Sequence, residues 1–153
     1  MTGVLTLKEE SRMSRILKDE QGMTLVELLA TVVILAIIAA IGVTAIGKVI
    51  QNTREDAGIA NIQQAMNAAK LYQSTNLGAG SGTFHLSDLT DYLDTADATW
   101  ADPSAVSFEV QDNGSLLITV PAGQLTAGNK SSNVLTDMSN SQILDLDRDT
   151  LWN

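Results

Sequence analysis

The 153-residue chain has no cysteine. That excludes a disulfide framework, a thiol nucleophile, a cysteine zinc site and a lipidated cysteine anchor. It has one histidine, His85, so a Cys/His couple is impossible, and no Gly-x-Ser-x-Gly elbow accompanies it. His85 reads as a loop histidine. Positive charge is scarce, with 9 basic against 18 acidic side chains. After Gly47 the cations are Lys48, Arg54, Lys70, Lys130 and Arg148, set against 13 acids for a balance of −8. Capture of nucleic acid through its phosphates needs clustered Lys and Arg, so no direct nucleic-acid binding is expected. The length allows one small domain and an anchor but no large catalytic core. No enzymatic activity and no catalytic residue are expected.

What the chain does have is an octet, Gly22-Met23-Thr24-Leu25-Val26-Glu27-Leu28-Leu29, followed by an apolar run to about Gly47. The next charge after Glu27 is Lys48, leaving a span close to the roughly 20 residues a helix needs to cross a ~30 Å hydrocarbon layer. Glu27 stands inside that span. An acid there costs on the order of 2.5–3.5 kcal/mol and calls for a partner, which the flanking Met, Thr, Leu and Val side chains do not supply. A cut after Gly22 would create an amino group on Met23, one helical turn from Glu27, able to neutralise it within a subunit or between neighbours. An ordinary secretory signal is the plainer alternative, with Ala40-Ile41-Gly42 or Ala45-Ile46-Gly47 as its cleavage site, but its apolar core is only about 7–15 residues long.

The octet and the helix behind it resemble the prepilin processing site of type IV pilins and type II secretion pseudopilins. The resemblance covers about residues 18–75. It implies cleavage between Gly22 and Met23 by a membrane prepilin peptidase, N-methylation of Met23, and assembly through Thr24, Leu25 and Glu27, the acid registering each subunit on its neighbour. The implied partners are further copies of the chain in a homopolymeric helical filament, an assembly ATPase and a platform membrane protein. The implied location is a single-pass cytoplasmic membrane protein that later enters a cell-surface or extracellular filament. Many Gram-negative members staple the C-terminal region with a disulfide, so the lack of cysteine points to the Gram-positive type. The chain departs from the family in its long leader, for which Met13 is an alternative start, and in carrying Thr44 where many members have proline. The alternatives are a pseudopilin of a secretion or DNA-uptake system and a membrane-anchored binding module that never polymerises.

Four segments follow: a cytoplasmic leader, 1–22; a transmembrane and filament-core helix, 23–47; its amphipathic continuation, 48–75; and a small extracellular β-rich part, 76–153. In the continuation Ile59, Ile62, Met66, Ala69 and Tyr72 recur at spacings of three and four, while Arg54, Glu55, Gln63, Gln64 and Lys70 fall elsewhere on the wheel. One helix is expected from about Thr24 to Thr75. Gly42, Gly47 and Gly58 interrupt it at about 1 kcal/mol each relative to Ala. Gly42 and Gly47 suit either close packing of helices, with Ala36, Ala39 and Ala40, or loosening on assembly.

Beyond it, residues 76–83 read as a loop and Ser87 as the cap of a short helix holding Leu89, Tyr92 and Leu93, with Asp88 near its positive end. Ser107–Val120 is a hairpin turning at Asn113-Gly114. Residues 124–139 suggest a weak helix and 143–147 a last strand. The expected fold is α+β, a long N-terminal helix packed against a small antiparallel sheet. Asp145, Asp147 and Asp149 alternate as a calcium loop begins, but the loop's glycine and distal glutamate are missing. A solvated acidic tail is the plainer reading, with no cofactor.

Overall fold

The computed structural model describes residues 2–78, 80–94 and 99–153. The chain divides into two compact units, Met1–Lys48 and Val49–Asn153. Helix α1, Thr2–Tyr72, contributes to both and ends in a π-turn, Gln73–Leu77. It begins well before the expected Thr24. The physical reason lies in the leader itself: from Val4 to Gln21 it contains neither Pro nor Gly, and Leu, Lys, Glu, Met and Arg are good helix formers.

In the first unit the described apolar side chains of the span are not buried. From Leu25 to Ile46 the large aliphatic residues are exposed, ranging from 49% at Val33 to 73% at Val43. The helix is long and apolar enough to cross a membrane. Its threonines present no unmet hydroxyl to an apolar surrounding. Thr31 donates to the Leu28 carbonyl at 2.8 Å and Thr44 to that of Ile41 at 2.9 Å, the back-bonding that lets hydroxyls sit on an apolar helix.

In the second unit α1 becomes one-sided. Ile62, Ala65, Met66 and Ala69 are fully buried, with Ile59 and Tyr72 at the margin of the same core, so the expected stripe is present. It packs against a four-stranded antiparallel sheet ordered β1-β2-β3-β6: β1 Gly82–His85, β2 Ser107–Val110, β3 Leu116–Val120 and β6 Leu135–Ser139. Cross-strand partners Phe84, Phe108 and Ile118 form the sheet's buried row. Tyr72 of the helix meets Phe84 at 4.7 Å between ring centroids, and Phe84 stacks on Phe108 at 5.3 Å. These aromatic contacts join helix to sheet.

Three expectations change. Residues 124–139 form strands rather than a helix: β4 Thr126–Ala127 and β5 Lys130–Ser131 make a small hairpin, and β6 follows. Gly128 at φ +63° makes its turn, and Leu125 and Ala127 are buried while Thr126 is exposed, the period-two pattern of a strand. Residues 143–147 form no strand. Helix α2, Asn140–Leu144, is started by a capping box in which the Ser139 N–H donates to Gln142 Oε1 at 2.8 Å. The short 3₁₀ helix Leu86–Leu89 is capped by His85, whose N–H donates to Asp88 at 2.9 Å, and not by Ser87. The expected hairpin forms, with Gly114 at φ +80°, but Asn113 keeps a negative φ. Gly114 donates to the Gln111 carbonyl at 2.8 Å and Gln111 to that of Ser115 at 2.9 Å, which makes a three-residue loop with glycine at the left-handed position.

The chain's end returns to α1. Helix α3, Arg148–Leu151, delivers Trp152, whose indole Nε1 donates to the Glu55 carbonyl at 3.1 Å. Trp152 is 5% exposed, and its ring lies where a Cβ on Gly58 would have to be. Gly58 is therefore the notch that admits the indole. Gly58→Ala gains about 1 kcal/mol of helix propensity but overpacks the notch at a typical cost of about 1–3 kcal/mol. We expect Gly58→Ala to lower the melting temperature of the detergent-solubilised chain, and the same substitution to raise it in a Trp152→Ala background. A stabilising effect in both backgrounds would remove the notch.

Candidate functional site

The octet lies in α1, with the Gly22–Met23 bond in helical backbone. Leu25 is 67% exposed, and Thr24 and Glu27 are exposed beside it. Met23 precedes Glu27 by four residues, one helical turn and roughly 6 Å of rise. An amine created at Met23 by cleavage would therefore start the helix that carries Glu27, on a neighbouring turn. No basic residue of the described chain forms an ion pair with Glu27.

Magnitudes decide whether such a helix tolerates its acid. Between Leu28 and Gly47 there are eleven Leu, Ile and Val residues, each contributing roughly 0.3–0.6 kcal/mol to insertion at the membrane centre. Together they supply roughly 3–7 kcal/mol, enough to offset the ~2.5–3.5 kcal/mol of a central acid. Insertion wins even with Glu27 unpaired. The acid is therefore affordable in lipid, and a partner amine would make its site favourable.

Gly42 and Gly47 have open space around them: a Cβ on either would meet nothing within 4 Å. Nothing in their own chain requires glycine there. Close packing and loosening both need a second helix to act on.

Just beyond the apolar span lies a polar latch whose partners the periodicity of the sequence does not reveal. Glu55, expected off the stripe, is 4% exposed; it stands four residues before Ile59 and seven before Ile62 and so continues the buried face. Lys130 of β5 reaches it at 3.1 Å, and Gln51 Nε2 donates both to Glu55 Oε1 at 2.9 Å and to the Ala127 carbonyl at 2.7 Å. On the next residue Asp56 meets Arg148 at 3.3 Å. The Gln51 amide holds the Glu55 carboxyl below its usual value against the opposing effect of burial, with Lys130 and Arg148 adding to the shift. Two of the five cations after Gly47 are thus engaged in holding the β4–β5 hairpin and α3 to α1.

The remaining candidates disperse. Asp147 caps α3, its Oδ1 accepting from the Thr150 N–H at 2.9 Å and hydroxyl at 2.6 Å. These bonds, the hydroxyl first, hold its carboxyl below the usual range. Asp145 follows α2 as its C-cap and Asp149 lies in the first turn of α3. Among the described residues no three acidic, His or Cys side chains gather to hold a metal, so the calcium candidate has no assembled ligand set here. His85 lies at the end of β1 rather than in a loop, its Nδ1 4.0 Å from Asp88. No serine hydroxyl among the described residues is bonded to its ring.

Residues 17–43 match the family model described as the prokaryotic N-terminal methylation motif. This motif is the hallmark of type IV pilins and pseudopilins. The match spans the octet and most of the apolar helix, the segment in which Gly22, Met23 and Glu27 stand. No curated protein and no solved structure matches the chain.

The latch carries a pH dependence. Glu55 and Asp147 have folded-state values lowered from the ordinary 4.5 and 3.8, so folding favours their ionised forms. Their contribution is fully present above those ordinary values and is lost as pH falls through the lowered ones. Melting followed by tryptophan fluorescence in detergent should be flat from neutral pH to about pH 5 and fall below it. Glu55→Gln should lower stability at neutral pH and flatten the acid limb, and an unchanged acid limb would show that the latch does not set it.

Proposed function

We propose that this chain, which carries the prokaryotic N-terminal methylation motif, is the precursor of a non-enzymatic structural subunit of a type IV pilus or pilus-like filament. The observation that carries the reading is the uncovered apolar helix with Glu27 four residues after Met23. The segment can lie in lipid as a precursor, and its apolar surface and its acid are both better matched by copies of itself. The leader stays cytoplasmic and the second unit lies outside. A prepilin peptidase cuts the Gly22–Met23 bond and methylates Met23. An assembly ATPase and a platform membrane protein then draw subunits from the bilayer into a filament whose core is built from residues 24–47.

The transfer is tolerable because apolar surface passes from lipid to other apolar helices, which leaves the burial of aliphatic area nearly unchanged. What changes is electrostatic: Glu27 meets a Met23 amine on a neighbour. Many Gram-negative pilins close their C-terminal region by a disulfide; in this chain Trp152 in the Gly58 notch and the Arg148–Asp56 pair tie the end down. This supports assignment to the Gram-positive type. Direct nucleic-acid capture is not part of the reading, since Lys130 and Arg148 are committed to Glu55 and Asp56.

Mass spectrometry of the protein from cells should find a mature chain beginning at N-methylated Met23. Glu27→Ala should abolish filaments released by shearing while the processed monomer still accumulates in the membrane. A mature N-terminus elsewhere would overturn the processing step. Wild-type filaments that tolerate Glu27→Ala would overturn the role of the acid, and a processed protein that never enters sheared filaments would favour a secretion pseudopilin or an anchored binding module.

A further inference from the structure

The leader holds a charge pattern that cleavage alone does not call for. Lys8, Arg12, Arg15 and Lys18 follow one another at spacings of four, three and three in the helical backbone of α1, and all four are exposed. At 3.6 residues per turn they fall within an arc of roughly 120°. Glu9, Glu10 and Glu20 lie off that arc by position, and Asp19 is the one acid of the leader that falls on it, leaving the arc at +3. With Asp19 and Glu20 the charges from Lys8 to Glu20 sum to zero by sequence, so the cations are distinguished by their placement and not by excess. None of the four is in an ion pair with another described residue. The stripe ends seven residues before the first large exposed aliphatic of the apolar span, Leu25.

We propose that this stripe binds the anionic headgroups of the cytoplasmic leaflet and lays the leader along the membrane surface; the inference rests on the leader being cytoplasmic. The complementarity is of charge and of place. Cytoplasmic leaflets carry a negative surface potential that attracts basic segments next to a membrane helix, and the apolar span fixes where that surface lies. Geometry adds a condition. Lys8 precedes Lys18 by ten residues, about 15 Å of helix, whereas a headgroup layer is only about 5–7 Å deep. A leader that continued the line of the spanning helix would bring Lys18 alone among the headgroups. All four cations reach them when the helix bends, and Gly22, the poorest helix former between Val4 and Glu27, is the place to bend. Lying down would thereby unwind backbone at the bond where the proposed cut falls.

The absence of cysteine makes the test direct. Ser11 lies inside the basic arc, and Ser11→Cys gives the full-length precursor a single site for a fluorophore. The labelled chain is reconstituted into vesicles of phosphatidylcholine, or of phosphatidylcholine with phosphatidylglycerol, each containing a headgroup-attached quencher. We expect quenching only with the anionic lipid, decreasing as salt is raised. Each neutralised cation should reduce the surface-bound population about fivefold, the equivalent of the ~1 kcal/mol a basic residue gains near such a surface. Lys8→Gln, Arg12→Gln, Arg15→Gln and Lys18→Gln combined should abolish the quenching, and Glu9→Gln with Glu10→Gln should preserve it. Quenching that is equal in both lipids, or that survives loss of the four cations, would overturn the proposal. Cleavage at Gly22–Met23, read separately in cells, tells the two claims apart. A precursor that is cut normally but never quenched refutes the surface-bound leader and spares the pilin reading, and one that is quenched but never cut does the reverse.

Discussion

The constraint on which the rest depends is that the large aliphatic residues of α1 from Leu25 to Ile46 stand exposed. A helix apolar on every side must be buried in something, whereas within the second unit α1 is buried along one stripe only. The uncovered segment carries enough aliphatic surface to insert despite Glu27. That surplus lets a charged residue persist in a place where lipid alone would select against it. Lipid and other copies of the helix are nearly equivalent solvents for Leu, Ile and Val. On the proposed reading the charge of Glu27 would distinguish them, since a neighbour cut at Met23 would bring an amine.

The second unit solves a different problem, how a small domain without disulfides holds its ends. Its core is modest, and part of its order comes from contacts far apart in sequence that converge on one stretch of α1. Gln51, Glu55, Asp56 and Gly58 lie within about two turns of helix. They receive the β4–β5 hairpin through Ala127 and Lys130 and the C-terminus through Arg148 and Trp152. A buried carboxylate is strongly unfavourable when left alone and acceptable when paired and hydrogen-bonded. Glu55 is both, so the latch specifies where the hairpin and the chain end must sit.

Some errors of the sequence reading had visible remedies. Ser139-Asn140-Ser141-Gln142 is a capping box by its spacing, and it outweighs the apolar alternation at Ile143-Leu144-Asp145-Leu146 that suggests a strand. Gly123 precedes β4 and Gly128 turns the two-strand hairpin where a weak helix was expected, and both take positive φ. Other contacts left no local trace. Glu55 stands four residues before Ile59 and seven before Ile62, so the period of α1 carries it onto the buried stripe, but nothing near it in sequence announces that Lys130 covers it.

The sequence by itself determined the methylation-motif segment and the order of the long helix. A helix long and apolar enough to span a membrane, an acid within it and a Gly-Met pair ahead of it are all local patterns, fixed by neighbouring residues and by the chemistry of their surroundings. The aliphatic stripe and the 107–120 hairpin were legible for the same reason, since each follows from periodicity or from a turn residue. Only the tertiary structure decided why Gly58 is glycine, why Glu55 is tolerated in the core, and that Asp147 caps a helix. Those answers depend on which distant residue arrives opposite, and short-range propensity carries no record of contacts made across about a hundred positions.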